Sequence, residues 1–177
     1  MNYTAVFSKL TELQKYLSQH PWLLCAIAVV LVLLSIVCSR HMNRLFFVLY
    51  LFVILYLTFF GRSVLKKHSA SLRIFNTYKY FLKSAYFRRE ILNNIFLFIP
   101  FGAITARLQP KWSTLLLSIL LSALIELLQF TTKLGLLEVD DVISNSLGGL
   151  IGLSAVMLRD YVIRSLRLRT GSLSKKL

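Results

Sequence analysis

Charged residues are few in this sequence, and acidic residues are the fewest. Only 16% of the 177 residues are charged, against about 25% in a typical soluble domain, and 7 acids stand against 21 Lys and Arg. The hydrophobic residues, 56% of the chain, are gathered in long uncharged runs. This composition excludes an ordinary soluble globular domain.

The long uncharged runs set the fold class. They cover 21–39, 45–61, 91–106 and 142–158, and a further run, 112–132, is interrupted only by Glu126. Each approaches the roughly 20 residues that an α-helix needs to cross the hydrocarbon core of a bilayer. A transmembrane β-barrel would show short alternating segments instead. The sequence therefore predicts an all-α, polytopic helical membrane protein with about five hydrophobic helices plus an N-terminal amphipathic helix.

Cysteine and histidine are also scarce. Cys25 and Cys38 lie in one hydrophobic run, roughly 20 Å apart on a helix, which is too far for a disulfide. No histidine occurs in 91–158, and the chain has no glycine-rich phosphate loop. Nucleophilic catalysis by Ser or Cys with His has no support, and we expect no cofactor and no metal site.

The net charge of +14 raises the question of nucleic acid. A nucleic-acid-binding protein would hold its basic residues on a soluble module, and no such module remains once the hydrophobic runs are removed. Lys and Arg collect in loops that face the cytoplasm and anionic lipid. We expect membrane lipid as the partner, such as anionic lipid or a lipid-linked envelope precursor, and no nucleic acid.

The chain divides into four segments. Residues 1–60 hold an interfacial helix, predicted over 3–19, and two membrane spans; 61–90 form a basic, aromatic interfacial loop; 91–163 form the core helices; and 164–177 form a basic, frayed tail. Basic and aromatic side chains beside membrane spans are typical of residues that rest among lipid headgroups. The candidates for headgroup contact are Arg73, Lys79, Lys83, Arg88 and Arg89.

Orientation leaves two alternatives. With five full crossings and the N-terminus inside, 11 of the 21 basic residues fall on the inner side, so the positive-inside rule has no preference. If 91–108 instead enters the membrane and returns, breaking at Pro100-Phe101-Gly102, 18 of the 21 fall on the inner side. The acidic mouth of the last span, at Asp140 and Asp141, then opens to the outside.

Polar residues inside the apolar helices indicate a candidate site. A carboxylate in hydrocarbon costs several kcal/mol, about 2.5–3.5 on insertion scales, unless it is protonated, paired or wetted. Glu126 and Gln129 form either an interhelical hydrogen-bonding pair or a polar pocket, and an aspartate at the start of the last span can act as a helix cap. Six residues from three helices can converge into one polar cluster: Asn94, Glu126, Gln129, Asp140, Asp141 and Asn145.

Small residues predict where these helices pack. The S-x-x-x-G-x-x-x-G spacing of 144–152 allows another helix to approach closely. The candidates for helix packing are Pro100, Gly102, Ser144, Gly148, Gly149 and Gly152.

Three ordered segments, NNIFLFIPFG, IELLQF and DDVISNSLGGLIG, resemble the core of the VanZ-like family of small bacterial membrane proteins. TFFGR and RIFNTYKYF resemble the family's lead-in, so that the likeness covers about 58–157. The family takes its name from a protein that confers low-level teicoplanin resistance. The resemblance implies a multi-pass protein of the bacterial plasma membrane that affects the response of the cell envelope to glycopeptide or lipoglycopeptide antibiotics.

Two functions stay open at this point. One is a non-enzymatic membrane protein that binds or organises envelope lipid through the polar cluster. The alternative is a membrane-embedded enzyme acting on a lipid-linked phosphate, with Asp140 and Asp141 holding a divalent cation and Glu126 as general base.

Overall fold

The computed structural model describes residues 3–60, 62, 64–109 and 111–174. Within these residues, six α-helices and two very short strands follow one another: α1 (Tyr3–Gln19), α2 (Pro21–Val37), α3 (Arg40–Phe59), β1 (Ala70–Ser71), α4 (Ala85–Leu108), α5 (Lys111–Thr132), β2 (Leu137–Glu138) and α6 (Val139–Ser174). A 3-10 helix, Tyr78–Tyr80, lies between β1 and α4.

Four of these helices, α3 to α6, are long and apolar enough to cross a membrane, and the count becomes five if α1 and α2 form one span bent by 94°. The predicted fold class is confirmed: the protein is an all-α, polytopic membrane protein with an amphipathic helix at its N-terminus. Helix α2 begins where expected, because Pro21 occupies its first turn, where a missing N–H costs nothing.

Helix α4 is continuous through Pro100. Its 24 residues extend about 36 Å at 1.5 Å per residue, enough to cross the bilayer in one piece. The re-entrant form of 91–108 is therefore wrong. Proline removes one backbone hydrogen bond, but Pro100 is buried among neighbouring helices that hold α4 in place.

Helix α4 is the centre of the bundle and packs most closely against α6. A Cβ atom at Gly152 would overlap the carbonyl oxygen of Ile99, and one at Gly148 would overlap that of Ile95. Gly102 faces Gly149 across the same interface, and Gly149 also contacts Ser118 of α5. The glycines of the predicted packing stripe thus let the two backbones touch, and all of these contacts exclude a larger side chain.

One cluster of buried apolar side chains lies between α3, α4 and α5. Ile54, Phe98, Ile104 and Ile125 are almost completely buried there. Tyr50 of α3 adds a directional link, because its hydroxyl donates to the carbonyl of Leu97 at 2.7 Å. The exposed large apolar side chains on the outer faces of α2, α3 and α5 suit contact with lipid.

The ends of the helices define two ends of the bundle. At one end, hereafter the α1 end, Gln129 of α5 donates to the carbonyl of Thr58 at the end of α3. At the other end, Arg40 donates to the carbonyl of Leu108, and Lys111 pairs with Asp160 at 2.6 Å. Because α2 leads from the α1 end to Arg40, it runs between the same two ends as α4.

The segment between α3 and α4 folds over the α1 end. Strands β1 and β2 pair in parallel, with Ala70 opposite Leu137 and Ser71 opposite Glu138. The backbone N–H of Leu65 donates to Lys133 just beyond α5. At the far end of the chain, α6 continues to Ser174, so that the described part of 164–177 is helical; residues 175–177 lie outside the described part of the chain.

Candidate functional site

A cavity of about 420 Å³ opens at the α1 end of the bundle. Helices α1, α3, α4 and α6 all contribute to its wall. Its charged and amide-bearing side chains from outside α1 are Arg62, Arg89, Glu90, Asn93, Asn94 and Asp141, and α1 adds Gln14 and Gln19. We call this space the polar cavity.

Helix α4 supplies one continuous polar face to the cavity. Tyr86, Glu90, Asn94 and Leu97 follow one another at steps of four, four and three residues, and all four line the cavity. Residues at this spacing lie one above another on a helix. Asn93, on the neighbouring face, donates from Nδ2 to the carbonyl of Ser18 at 2.7 Å and so links α4 to the end of α1.

Two carboxylates of the cavity wall, Glu90 and Asp141, meet a third from Glu138. Glu90, Glu138 and Asp141 each place one oxygen so that the three atoms lie within 4.8 Å of one another. We call these residues the carboxylate cluster. Such oxygens can bind a hard divalent cation, or accept charge-assisted hydrogen bonds from an ammonium group. Because three acidic groups lie so close together, binding of a cation beside them is electrostatically favourable.

Glu138 reaches the cluster because β2 fixes it there. Its partner across the strand pair is Ser71, and its backbone N–H donates to Oε2 of Glu126 at 2.9 Å. Burial raises the pKa of Glu138 above its ordinary value, the negative charge of Asp140 raises it further, and the Arg62 guanidinium opposes both effects. The side chain of Glu138 is therefore held at the bundle end in surroundings that disfavour its charge.

Asp140 points away from the cavity although it adjoins Asp141. It is 2% exposed, and its two carboxylate oxygens accept from the backbone N–H groups of Phe75 at 2.6 Å and Thr77 at 2.7 Å. Phe75 has a left-handed backbone with φ of 60°, a conformation that is rare for a bulky residue. Asp140 thus anchors the loop before α4, and it does not share a site with Asp141.

The other predicted members of the polar cluster join helices in pairs. Asn145 donates to the hydroxyl of Ser122 at 2.8 Å and links α6 to α5. Gln129 donates to Thr58, linking α5 to α3, and Glu126 holds the backbone of β2 beside the carboxylate cluster. Ser144, expected at the glycine interface, instead bonds the hydroxyl of Tyr78 at 2.8 Å. Of the six predicted residues, the structure brings Asn94 and Asp141 together in the cavity wall.

Glu90, Glu138 and Arg62 are site residues that the sequence reasoning missed. The spacing of Glu90 and Asn94, four residues apart, was a usable signal for one polar helix face. The position of Glu138 depends on the pairing of β2 with a strand 67 positions earlier in the chain, between Ser71 and Glu138. No local pattern shows such a contact.

The predicted headgroup residues lie around the same end of the bundle. Arg73, Lys79, Lys83, Arg88 and Arg89 are all exposed, and none forms a salt bridge with a carboxylate of the described residues. Arg89 also lines the polar cavity. The cavity therefore opens beside a basic surface.

Comparison with known proteins gives a consistent result. The sequence model of the VanZ/LLP1 family matches residues 47–160, which include α4, α5, both strands and the start of α6. Protein VanZ of Enterococcus faecium is 31% identical over 124 residues, which amount to 66% of this chain and 72% of that protein. No solved structure matches the chain.

Proposed function

This chain belongs to the VanZ/LLP1 family, and from that premise we propose that it acts in the bacterial plasma membrane to lower the response of the cell envelope to teicoplanin-type antibiotics. The carboxylate cluster, two of whose members line the polar cavity, is the observation that carries this proposal. Ionisable groups among membrane helices are costly to keep, so a cluster of three suits a binding function better than a structural one.

The family match covers the parts of the chain that build this site. Glu90, Asn94, Glu138 and Asp141 all fall within 47–160. Part of the wall lies outside the match, because α1 contributes Gln14 and Gln19. The carboxylate side of the cavity therefore lies within the matched region, whereas the α1 side lies outside it.

Envelope lipid, or a lipid-linked envelope precursor, is the partner that suits this arrangement. The cavity offers charged and amide groups at the end of the bundle, while the surrounding Arg73, Lys79, Lys83 and Arg88 are free to meet anionic headgroups. Binding or reorganising such a lipid changes the surface on which a lipoglycopeptide acts. This route requires no chemical step by the protein.

Expression in a teicoplanin-susceptible bacterium tests the proposal. The wild-type chain should raise the minimal inhibitory concentration of teicoplanin, and Glu90→Gln should remove the increase at equal membrane levels. Asp160→Asn is the matched control, since Asp160 pairs with Lys111 at the opposite end of the bundle. If the wild-type chain gives no protection, or if Glu90→Gln protects as well as wild type, the proposal fails.

A membrane-embedded enzyme acting on a lipid-linked phosphate is a second candidate, favoured by the same carboxylate cluster. Glu90, Glu138 and Asp141 would hold the divalent cation in this case, because both oxygens of Asp140 already accept backbone hydrogen bonds. Turnover of a lipid-linked phosphate by the purified protein, dependent on Mg²⁺ and lost on Glu90→Gln, would establish this function. Absence of turnover with Mg²⁺ present would exclude it.

A further inference from the structure

A second cavity, of about 200 Å³, adjoins the polar cavity between α1, α2, α3 and α4. Both spaces are lined by Leu17, Leu24, Leu57 and Leu97, so the wall is continuous from one to the other. The rest of the second space is formed by aliphatic and aromatic side chains: Ile27, Tyr50, Val53, Tyr56 and Phe96. We call it the apolar groove.

The groove presents hydrocarbon even where its residues carry hydroxyls. Tyr50 donates to the carbonyl of Leu97 at 2.7 Å, and Tyr56 donates to the carbonyl of Leu10. Because both hydroxyls are paired within the protein, they need nothing from a ligand. The groove is therefore suited to an acyl chain and poorly suited to a polar group.

We propose that the polar cavity and the apolar groove together bind one phospholipid whose head carries a primary ammonium and a phosphate, with the head in the cavity and one acyl chain in the groove. This inference rests on the proposed function and specifies its ligand. The second acyl chain stays in the surrounding bilayer. A ligand of this kind uses the polar and apolar halves of the site at once, whereas a soluble small molecule uses only the first.

The ammonium follows from the acceptors in the cavity. Glu90, Glu138 and Asp141 offer carboxylate oxygens within 4.8 Å of one another, and an ammonium has three N–H donors. Asn93 adds an amide acceptor. Its Nδ2 donates to the carbonyl of Ser18, and its buried Oδ1 has no partner among the described residues. A donor that brings positive charge therefore suits a cavity wall that is rich in acceptors.

The phosphate follows from the two arginines that line the cavity. Arg62 and Arg89 both line the space, and both are exposed. Guanidinium groups match phosphate oxygens in geometry and charge. The cavity thus places guanidinium groups and carboxylates in one wall, the two kinds of group that recognise the phosphate and the ammonium of such a headgroup.

Binding of such a phospholipid can be tested by native mass spectrometry of the full chain released from mixed-lipid nanodiscs. The discs would contain equal amounts of phosphatidylethanolamine, phosphatidylcholine and phosphatidylglycerol. We expect one retained phosphatidylethanolamine. The double variant Glu90→Gln/Asp141→Asn should lower its retention by about tenfold or more, the loss expected when hydrogen bonds to charged groups are removed.

The position of the acyl chain can be tested separately with two variants of helix α3. Val53→Phe narrows the apolar groove, whereas Val48→Phe makes the same change on the exposed face of α3. Retention should fall for the first variant and stay at the wild-type level for the second. Equal retention in both would contradict seating of the chain in the groove.

Other results overturn the inference in different ways. Equal retention of all three lipids shows that the cavity does not select an ammonium, and preferential retention of phosphatidylglycerol that requires Mg²⁺ assigns the carboxylates to a metal ion. Selective retention of phosphatidylethanolamine without any teicoplanin phenotype leaves this inference standing and removes the proposed function. A phenotype that depends on Glu90, without lipid selectivity, removes this inference alone.

Discussion

The carboxylate of Asp140 accepts a 2.6 Å hydrogen bond from the backbone of Phe75, while its neighbour Asp141 faces the polar cavity. Successive residues on a helix are rotated by about 100°, so two adjacent aspartates at the start of α6 reach different surroundings. One holds a loop in place and the other joins the carboxylate cluster. The pair therefore combines a structural residue with a candidate binding residue.

Asp140→Ala should loosen the loop before α4. The change removes two hydrogen bonds to buried or half-buried N–H groups, which should cost about 1–3 kcal/mol of stability each, and releases the left-handed Phe75. Trypsin should then cut faster after the exposed Lys79 and Lys83. Asp141→Asn is the matched control and should leave the cleavage rate unchanged; faster cleavage in both variants would contradict the separate roles.

Stability should depend on pH through Glu138. Its pKa is raised in the folded protein above the ordinary value of 4.5, so the folded form holds the proton more tightly than the unfolded form. This contribution is complete below about pH 4.5 and is lost as the pH rises through the raised pKa. The thermal midpoint in detergent should fall across that interval.

Glu138→Gln should reduce this fall in the thermal midpoint, because the titrating carboxyl is gone. Glu12→Gln, at an exposed position on α1, is the control and should keep the wild-type pH profile. A Glu138→Gln profile identical to that of wild type would show that burial of this carboxyl does not influence stability.

Gly152→Ala should separate α4 from α6. A Cβ atom there would overlap the carbonyl oxygen of Ile99 and lie 2.7 Å from the nitrogen of Ala103, and neither backbone atom can turn aside. We expect a loss of about 1–3 kcal/mol, the usual cost of overpacking. Ser154→Ala, on the exposed side of the same helix, should be nearly neutral; equal thermal midpoints for both variants would contradict the close approach.

Cysteine labelling should find the two ends of the bundle on opposite sides of the membrane. With Cys25 and Cys38 replaced by serine, Lys66→Cys reports on the α1 end and Gln109→Cys on the other, and both positions are exposed. A membrane-impermeant reagent should label only one of them in intact cells. Labelling of both from the same side would mean that α4 does not cross.

The sequence was sufficient for the fold and for the main helix contact. Uncharged runs and Pro21 located the spans closely, and the spacing of Gly148 and Gly152 identified the face that meets α4. Pro100 was a poor predictor of a helix break, because a membrane helix surrounded by protein tolerates proline. The helix spans and the helix contact depend on residues that are close together in the sequence, so they can be predicted from it.

The candidate site was harder to predict because long-range contacts assemble it. Asp140 and Asp141 look equivalent in sequence, and only the fold of 72–77 against α6 separates them. Glu138 joins the carboxylate cluster because it lies in a two-residue strand, which is too short to show a periodic pattern of apolar residues. The sequence predicts Gln129 and Asn145 in one polar cluster, yet each donates to a separate partner in a neighbouring helix.

Teicoplanin susceptibility of cells expressing Asp141→Asn, at membrane levels matched to wild type, is the most direct measurement of the central claim. The substitution keeps the shape of the side chain and removes one charge from the carboxylate cluster. We expect the variant to fold with the wild-type thermal midpoint or a higher one, and to lose the protection that the wild-type chain gives. A folded Asp141→Asn protein that protects as fully as wild type would contradict the account.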